Sequence, residues 1–497
     1  MKSARTKSDE KLQANIVVIG GGGSGLAAAV AAAEAGVKNI ILLEARHEAG
    51  GNAVFPEGIF AAESRVQKRL AIDARKDEMF KLAMSFAHWK TNPRLVRALI
   101  DKSGDTIRWL ESKGVEFAGI IHHYPNQVPL VYHIISPPER TGSAVVEALH
   151  KSCTDLGVRL LCGTEAKRLL TDEKGNVTGV LARTQDKEVS IGTKSVILAT
   201  GGFAGNPELL KKYIPSYDED EIRNIGLPHK GDGLRMATEI GAATEGMVTL
   251  EMFGPAPAGP FWPLSIYPII SRPNTIWVNK NGERFTDETV TFIFSEAANA
   301  IYRQPNKTSY TIFDEKIKQG IIDEGLTPHD EISLGDAAKS WPAGLDDDLR
   351  SQADKGLVKI SQSWSEIAKF IGAARDVLQN TIEEYNSFCN HGHDEIFAKD
   401  RECLMPLRTP PYYAIKCGLG LVTTHGGIKI NHRMEVLNLQ DIPISGLYAV
   451  GVETGGTEAD TYNVLLSGHS FGFTINSGRI AGENAARYIL DVTSKRK

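Results

Sequence analysis

Cysteine is scarce in this chain. There are five in 497 residues, Cys153, Cys162, Cys389, Cys403 and Cys417, and no two form a Cys-x-x-Cys pair. Their scatter excludes a disulfide framework, a c-type haem attachment and iron–sulfur ligation. No apolar run is long enough to span a bilayer; the longest, 26–37, is alanine-rich and contains Glu34. No charge sign dominates, because the net charge of −5 comes from mixed signs throughout, so no basic face for nucleic acid is implied. Internal repeats and low-complexity tracts are absent. Residues 1–15 have neither an apolar core nor twin arginines and read as a frayed tail, not a signal. His122, His123 and His133 lack a carboxylate or cysteine at ligand spacing, so no metal is expected. What is left is a cytoplasmic protein without a membrane span, too long for a single core, with two or more domains.

The strongest positive signal follows immediately after the tail. Ile16-Val17-Val18-Ile19 is a run of β-branched residues suited to a buried parallel strand. Gly20, Gly22 and Gly25 then satisfy G-x-G-x-x-G, with Gly23 and Ser24 between them. Gly20 permits a tight turn, Gly22 lets backbone approach a pyrophosphate, and Gly25 lets the next helix pack close to the strand. That helix, over 26–35, directs free N–H groups and a positive dipole end at the phosphates. A second strand over 39–43 ends in Glu44, about 20 residues past the fingerprint, where a carboxylate accepts hydrogen bonds from ribose hydroxyls. Together these features predict a βαβ unit that holds a dinucleotide.

Beyond it, Gly50-Gly51-Asn52-Ala53 forms a small-residue loop suited to close ligand contact. The pattern is helical from about 75 to 115, irregular and Pro-rich over 117–138, and helical again over 143–156. Strands are expected at 158–161, 166–171, 177–183 and 196–199. The last runs into Thr200-Gly201-Gly202, but no second complete fingerprint exists, so a dedicated nicotinamide domain is not expected. Composition shifts between about 250 and 400, which suggests an inserted domain. Strands at 428–430 and 446–450 and a helix over 468–490 return to α/β character.

As an ordered set, several of these pieces resemble the flavoprotein family of fumarate reductase, succinate dehydrogenase, L-aspartate oxidase and 3-ketosteroid dehydrogenase. The matching residues are the fingerprint, Glu44, Gly50-Gly51-Asn52, Ala199-Thr200-Gly201-Gly202, Gly231-Asp232-Gly233, Asn279 through Phe285, Gly426-Gly427, and Gly446-Leu447-Tyr448-Ala449-Val450-Gly451 through Gly455-Gly456. The resemblance implies an α/β fold in which a Rossmann-type FAD-binding domain is interrupted by a smaller α+β capping domain. The tail would cover 1–15, the FAD domain 16–250 and 423–497, and the cap 251–422. It also implies noncovalent FAD, since no histidine stands near Asn52-Ala53. Ser24 would meet the pyrophosphate, Glu44 with Ala45 the adenosine ribose, and Gly51, Asn52 and Ala53 the ribityl and flavin. Ala166, Ala199, Thr200, Gly201 and Asp232 would lie along the cofactor. Glu453 would bind a ribityl hydroxyl, and Ser467 and Gly468 would offer N–H groups to the flavin N1/O2 edge.

Departures from the family narrow the substrate. Thr291-Phe292 stands where fumarate reducers keep a proton-donating arginine, and Tyr462-Asn463-Val464-Leu465-Leu466 contains no carboxylate-binding arginine. Without bidentate donors a dicarboxylate is poorly held. A larger, less charged substrate is expected, such as an enone, a ring ketone or an aromatic-containing compound. The expected chemistry is reduction or formation of a C=C bond conjugated to a carbonyl. Tyr462 is the candidate acid, Arg272 a substrate-binding arginine and His425 a carbonyl hydrogen-bond donor, while Arg284 and Glu288 support the cap. Electrons would come from a separate donor or go to a separate acceptor. An O2-using oxidase and a non-catalytic electron-transfer subunit remain as alternatives.

Overall fold

In the Ile16–Ile19 strand all four side chains are buried, as a strand covered on both faces requires. It lies at the centre of a six-stranded sheet in a computed structural model that describes residues 10–121, 130–137, 140–185, 187–259, 262–327, 330–331 and 334–494. Expectations for residues 1–9, for His122 and His123, and for 122–129 and 138 of the Pro-rich stretch fall outside these. The sheet order is Glu435–Leu437, Pro443–Ala449, Ser195–Leu198, Ile16–Ile19, Ile40–Leu43 and Arg159–Leu161. All neighbours are parallel except the first pair. Segments from both ends of the chain therefore meet in one sheet, and the long final helix, His469–Ser494, packs on the fingerprint helix, Gly23–Glu34. Glycines permit that approach: a Cβ on Gly478 or Gly482 would lie 2.3 Å from a backbone oxygen of the fingerprint helix.

Glu10–Gln13 departs from the expected frayed tail. It pairs in parallel with Lys187–Gly192 at the edge of a four-stranded sheet completed by Val177–Thr184 and Thr164–Thr171. Four residues carry too little alternation to read as a strand, and the ladder partner lies more than 170 residues away. The helical stretch over 75–115 is two helices, Lys76–Phe86 and Pro93–Glu111. Asn92 divides them: its side chain accepts from the Arg94 and Leu95 amides, and Pro93 occupies the first helical position.

A separate hydrophobic core draws on residues from Ile266 to Cys417. Its spine is the strand Tyr412–Thr424, flanked by Ser309–Asp314, Val358–Ser361, Leu250–Pro257 and Ile222–Asn224. Near this core lies a buried ionic cluster. Glu288 pairs with Arg284 at 2.9 Å and with Lys399 at 3.0 Å, and Arg284 also reaches Asp394 at 2.9 Å. Arg284 and Glu288 thus lie off the cavities described below, tying the segment after Asn279 to the one after Asp394. Among the described residues no helix is long and apolar enough to cross a membrane, and no cluster of three metal-ligating side chains occurs.

Candidate active site

Where the fingerprint, the 195–201 turn and the 412–424 strand converge, they enclose a cavity of about 1050 Å³. That is at the top of the range for small-molecule sites, about 300–1,000 Å³. One end is lined by Gly20, Gly22, Gly23, Ser24, Glu44, Ala45, Arg46, Thr164 and Ala166. Glu44 is held in place by two amides, Gly21 N–H at 2.7 Å and Arg46 N–H at 2.8 Å. Gly22 caps the fingerprint helix without any side-chain bond, so the first-turn N–H groups face the cavity. The middle is lined by Gly51, Asn52, Ala53, Ala199, Thr200, Gly201, His229 and Asp232. At the far end stand Tyr132, Phe253, Tyr267, Phe294, Tyr462, Gly468 and Ser470, together with Glu251.

Three buried polar atoms on cavity-lining residues have no protein partner: Asn52 Nδ2, His229 Nδ1 and Thr423 Oγ1. Buried polar groups are normally satisfied, so each marks a place for a polar ligand atom. A Cβ on Gly22 would meet nothing closer than the Gly50 carbonyl at 3.9 Å, and so would project into open cavity. These residues fit a dinucleotide.

Several expected site residues are placed differently. Glu453 does not line the cavity. It is buried behind the 199–201 turn, where it accepts from the Thr200 amide at 2.8 Å and the Thr200 hydroxyl at 2.7 Å. Burial, opposed only by those bonds, pushes its carboxyl up to about 8. It shapes the turn from behind the cavity wall. Ser467 is also off the wall, its hydroxyl donating to the Val464 carbonyl, whereas Gly468 is on it. Gly25 stands behind the wall, against the Gly20 carbonyl.

Arg272 lies outside the main cavity. Its Nη2 donates to the Gly325 carbonyl at 2.6 Å and to Asp330 at 3.1 Å. It borders a second cavity of about 630 Å³ that also takes in Thr291 and Phe292 and shares Phe253, Tyr267 and Phe294 with the first. His425 is likewise one layer back. Its Nε2 is engaged by Glu251 Oε2 at 2.6 Å, so it stands behind the cavity wall, in contact with the lining residues Glu251, Ser470 and Tyr462. A direct bond from His425 to a substrate carbonyl is therefore not the arrangement found.

Tyr462 does line the cavity. Its ring is stacked against Phe294 at 5.7 Å, against His469 at 4.6 Å and near His425 at 5.1 Å. Burial, then the nearby charges of Glu251 and Glu458, hold its hydroxyl far above the usual phenol range, against the opposing bond from the Ser470 amide. It therefore stays protonated and can serve as a donor. Glu458 anchors His469 through Nε2, while the His469 Nδ1 faces the Leu466 carbonyl at 3.2 Å. A carbonyl accepts only, so that Nδ1 carries hydrogen, and the Glu458–His469 pair holds a further proton between its partners. Sequence reading missed Glu251, Phe253 and Ser470. One signal was present: 251 and 253 share one face of an otherwise buried strand.

The family profile described as the FAD binding domain matches residues 15–465. The chain belongs to the FAD-binding flavoproteins of the fumarate reductase type. It is an FAD-dependent oxidoreductase acting on C=C and CH–CH bonds. Over 490 residues it is 32% identical to the vinyl phenol reductase of Lactiplantibacillus plantarum, covering 95% of this chain and 96% of that protein. It is 30% identical over 500 residues to the urocanate reductase of Eggerthella lenta, covering 98% and 78% respectively. The solved structure of the open conformation of a flavocytochrome c3 fumarate reductase superposes with a TM-score of 0.74 at 26% identity, over 97% of this chain and 79% of that one.

Proposed function

We propose that this enzyme reduces the exocyclic C=C bond of a small, uncharged aromatic alkene, of which a vinyl phenol is the type. The observation that carries the reading is the far wall of the cavity. It sets Tyr462 among Phe253, Tyr267 and Phe294, and neither of the lysine and arginine residues that line the cavity, Lys230 and Arg46, makes a recorded contact with those rings or with Glu251. Aromatic faces hold a flat ring by offset or edge contacts. At that wall of the main cavity a dicarboxylate would meet no guanidinium and would face Glu251; Arg272, in the adjoining cavity that shares this wall, is already engaged by the Gly325 carbonyl and Asp330. The near full-length similarity to a vinyl phenol reductase supports the same substrate class.

Residues from Gly20 to Asp232 along the cavity would hold FAD noncovalently, and the cofactor, reduced by a separate donor, would supply a hydride equivalent. The protein's own residues do the rest. The aromatic wall orients the ring and excludes water, and the protonated Tyr462 hydroxyl delivers a proton to the alkene carbon that does not take the hydride. Asn52, His229 and Thr423 offer polar contacts to the cofactor. All five cysteines are free, which supports a reducing, cytoplasmic setting. The test is steady-state turnover with reduced methyl viologen and product analysis. Conversion of 4-vinylphenol to 4-ethylphenol with negligible fumarate reduction is expected. Fumarate as the better acceptor overturns the substrate, and O2 as the only effective acceptor overturns the reductase reading in favour of an oxidase.

A further inference from the structure

On the reading that the far wall holds the substrate, one polar group there has no assigned task. Glu251 stands on Leu250–Pro257, a strand whose register shifts at Glu251/Met252 and again between Phe253 and Ala256 as it pairs with Tyr412–Thr424. Bulges of this kind re-aim side chains beside active sites. Glu251 Oε2 accepts from His425 Nε2 at 2.6 Å and from the Ser470 hydroxyl at 3.2 Å. The His425 amide is itself fixed to the Thr249 carbonyl, so the clamp is anchored to both strands. Two donors on one oxygen fix the carboxylate plane and leave Oε1 without a protein partner on the cavity wall. The side chain is only 12% exposed.

Oε1 is open to the cavity, and once a bound ligand displaces the water there a carboxylate oxygen is costly unless a donor meets it. The elements packed around Glu251 supply His425, Ser470, His469, Tyr462 and Thr423, and no lysine or arginine among the described residues pairs with it. The donor must therefore come with the ligand, and a carboxylate ligand would meet repulsion instead. We propose that Glu251 is the specificity-determining residue of this cavity: Oε1 accepts the ring hydroxyl of a phenolic substrate, so the site selects phenols over their ethers and over aryl carboxylates. Sites built to hydrogen-bond a hydroxyl reject analogues lacking it far more strongly than apolar pockets reject a methylene.

Binding of inert, saturated ligands to the oxidised FAD holoenzyme tests this without turnover. Titration of flavin absorbance should show 4-ethylphenol binding roughly 10-fold or more tighter than 4-ethylanisole, with 3-phenylpropionate weakest. In Glu251→Leu that preference should vanish while FAD stays bound. The near-isosteric Glu251→Gln, which keeps the fold if the leucine variant does not, should narrow the ratio and improve phenylpropionate binding. Equal affinity for the phenol and the ether in the wild-type protein, or a preference that survives both substitutions, overturns the assignment. Hydroxyl preference without vinyl-arene turnover would remove the proposed reaction and leave Glu251 in this role; turnover without hydroxyl preference would do the reverse.

Discussion

Gly22 and Gly25 separate the cofactor from the fold, and one substitution at each makes the difference measurable. Gly22 sits at φ −73° and ψ −178°, a conformation open to alanine. Its Cβ would have the Gly50 carbonyl at 3.9 Å as nearest neighbour, so the apoprotein should tolerate the methyl. Reduced freedom of the unfolded polypeptide should even add about 0.4–1 kcal/mol of stability. The methyl would instead stand in the space needed by the pyrophosphate. Overpacking of about 1–3 kcal/mol converts to FAD binding weakened about 5- to 150-fold, at 1.4 kcal/mol per factor of ten. Gly25→Ala acts elsewhere: its Cβ would lie 1.9 Å from the Gly20 carbonyl oxygen, which forces strand and helix apart. It should destabilise the apoprotein itself. FAD fluorescence titration and urea unfolding of the two apoproteins read the two effects. Wild-type FAD affinity in Gly22→Ala, or wild-type apoprotein stability in Gly25→Ala, would refute the division of roles.

Four further outcomes follow. Tyr462→Phe should retain FAD but lower kcat for the aryl alkene by about 100-fold or more, measured by viologen-coupled turnover. Glu453 keeps its proton in the folded protein up to about pH 8 but loses it near the ordinary 4.5 when unfolded; its contribution to stability is therefore complete below about 4.5 and declines as pH rises to about 8. Urea unfolding at several pH values should show that decline flattened in Glu453→Gln. Glu288→Gln leaves Arg284 and Lys399 short of a buried counter-charge and should cost about 3–5 kcal/mol, seen as an early unfolding transition in calorimetry. Acid precipitation should leave FAD in the supernatant; yellow pellets would indicate a covalent bond.

What could be read from sequence follows the range of the interactions. The fingerprint, Glu44 and the first parallel strands depend on spacing within some 30 residues, and the structure has them in those places. Glu453 could not be placed, because its partner Thr200 is 253 residues away and no local pattern announces that it turns inward. His425 reads from sequence as facing the substrate because the antiparallel register that sets Glu251 in front of it is non-local and interrupted by bulges. Arg272 has its match in Asp330, 58 residues further on, a non-local pairing that periodicity does not reveal. The lack of an arginine over 462–466 was legible as a departure from the family that the sequence resembles, and it remains the clearest guide to what the cavity accepts.

The most direct test is a single turnover. FAD holoenzyme, photoreduced without oxygen, is mixed with 4-vinylphenol or with fumarate, and flavin reoxidation is followed by absorbance. Rapid reoxidation by 4-vinylphenol with stoichiometric 4-ethylphenol, and almost none by fumarate, is the expected result. Flavin that remains reduced with the aryl alkene but reoxidises with the diacid would contradict the account.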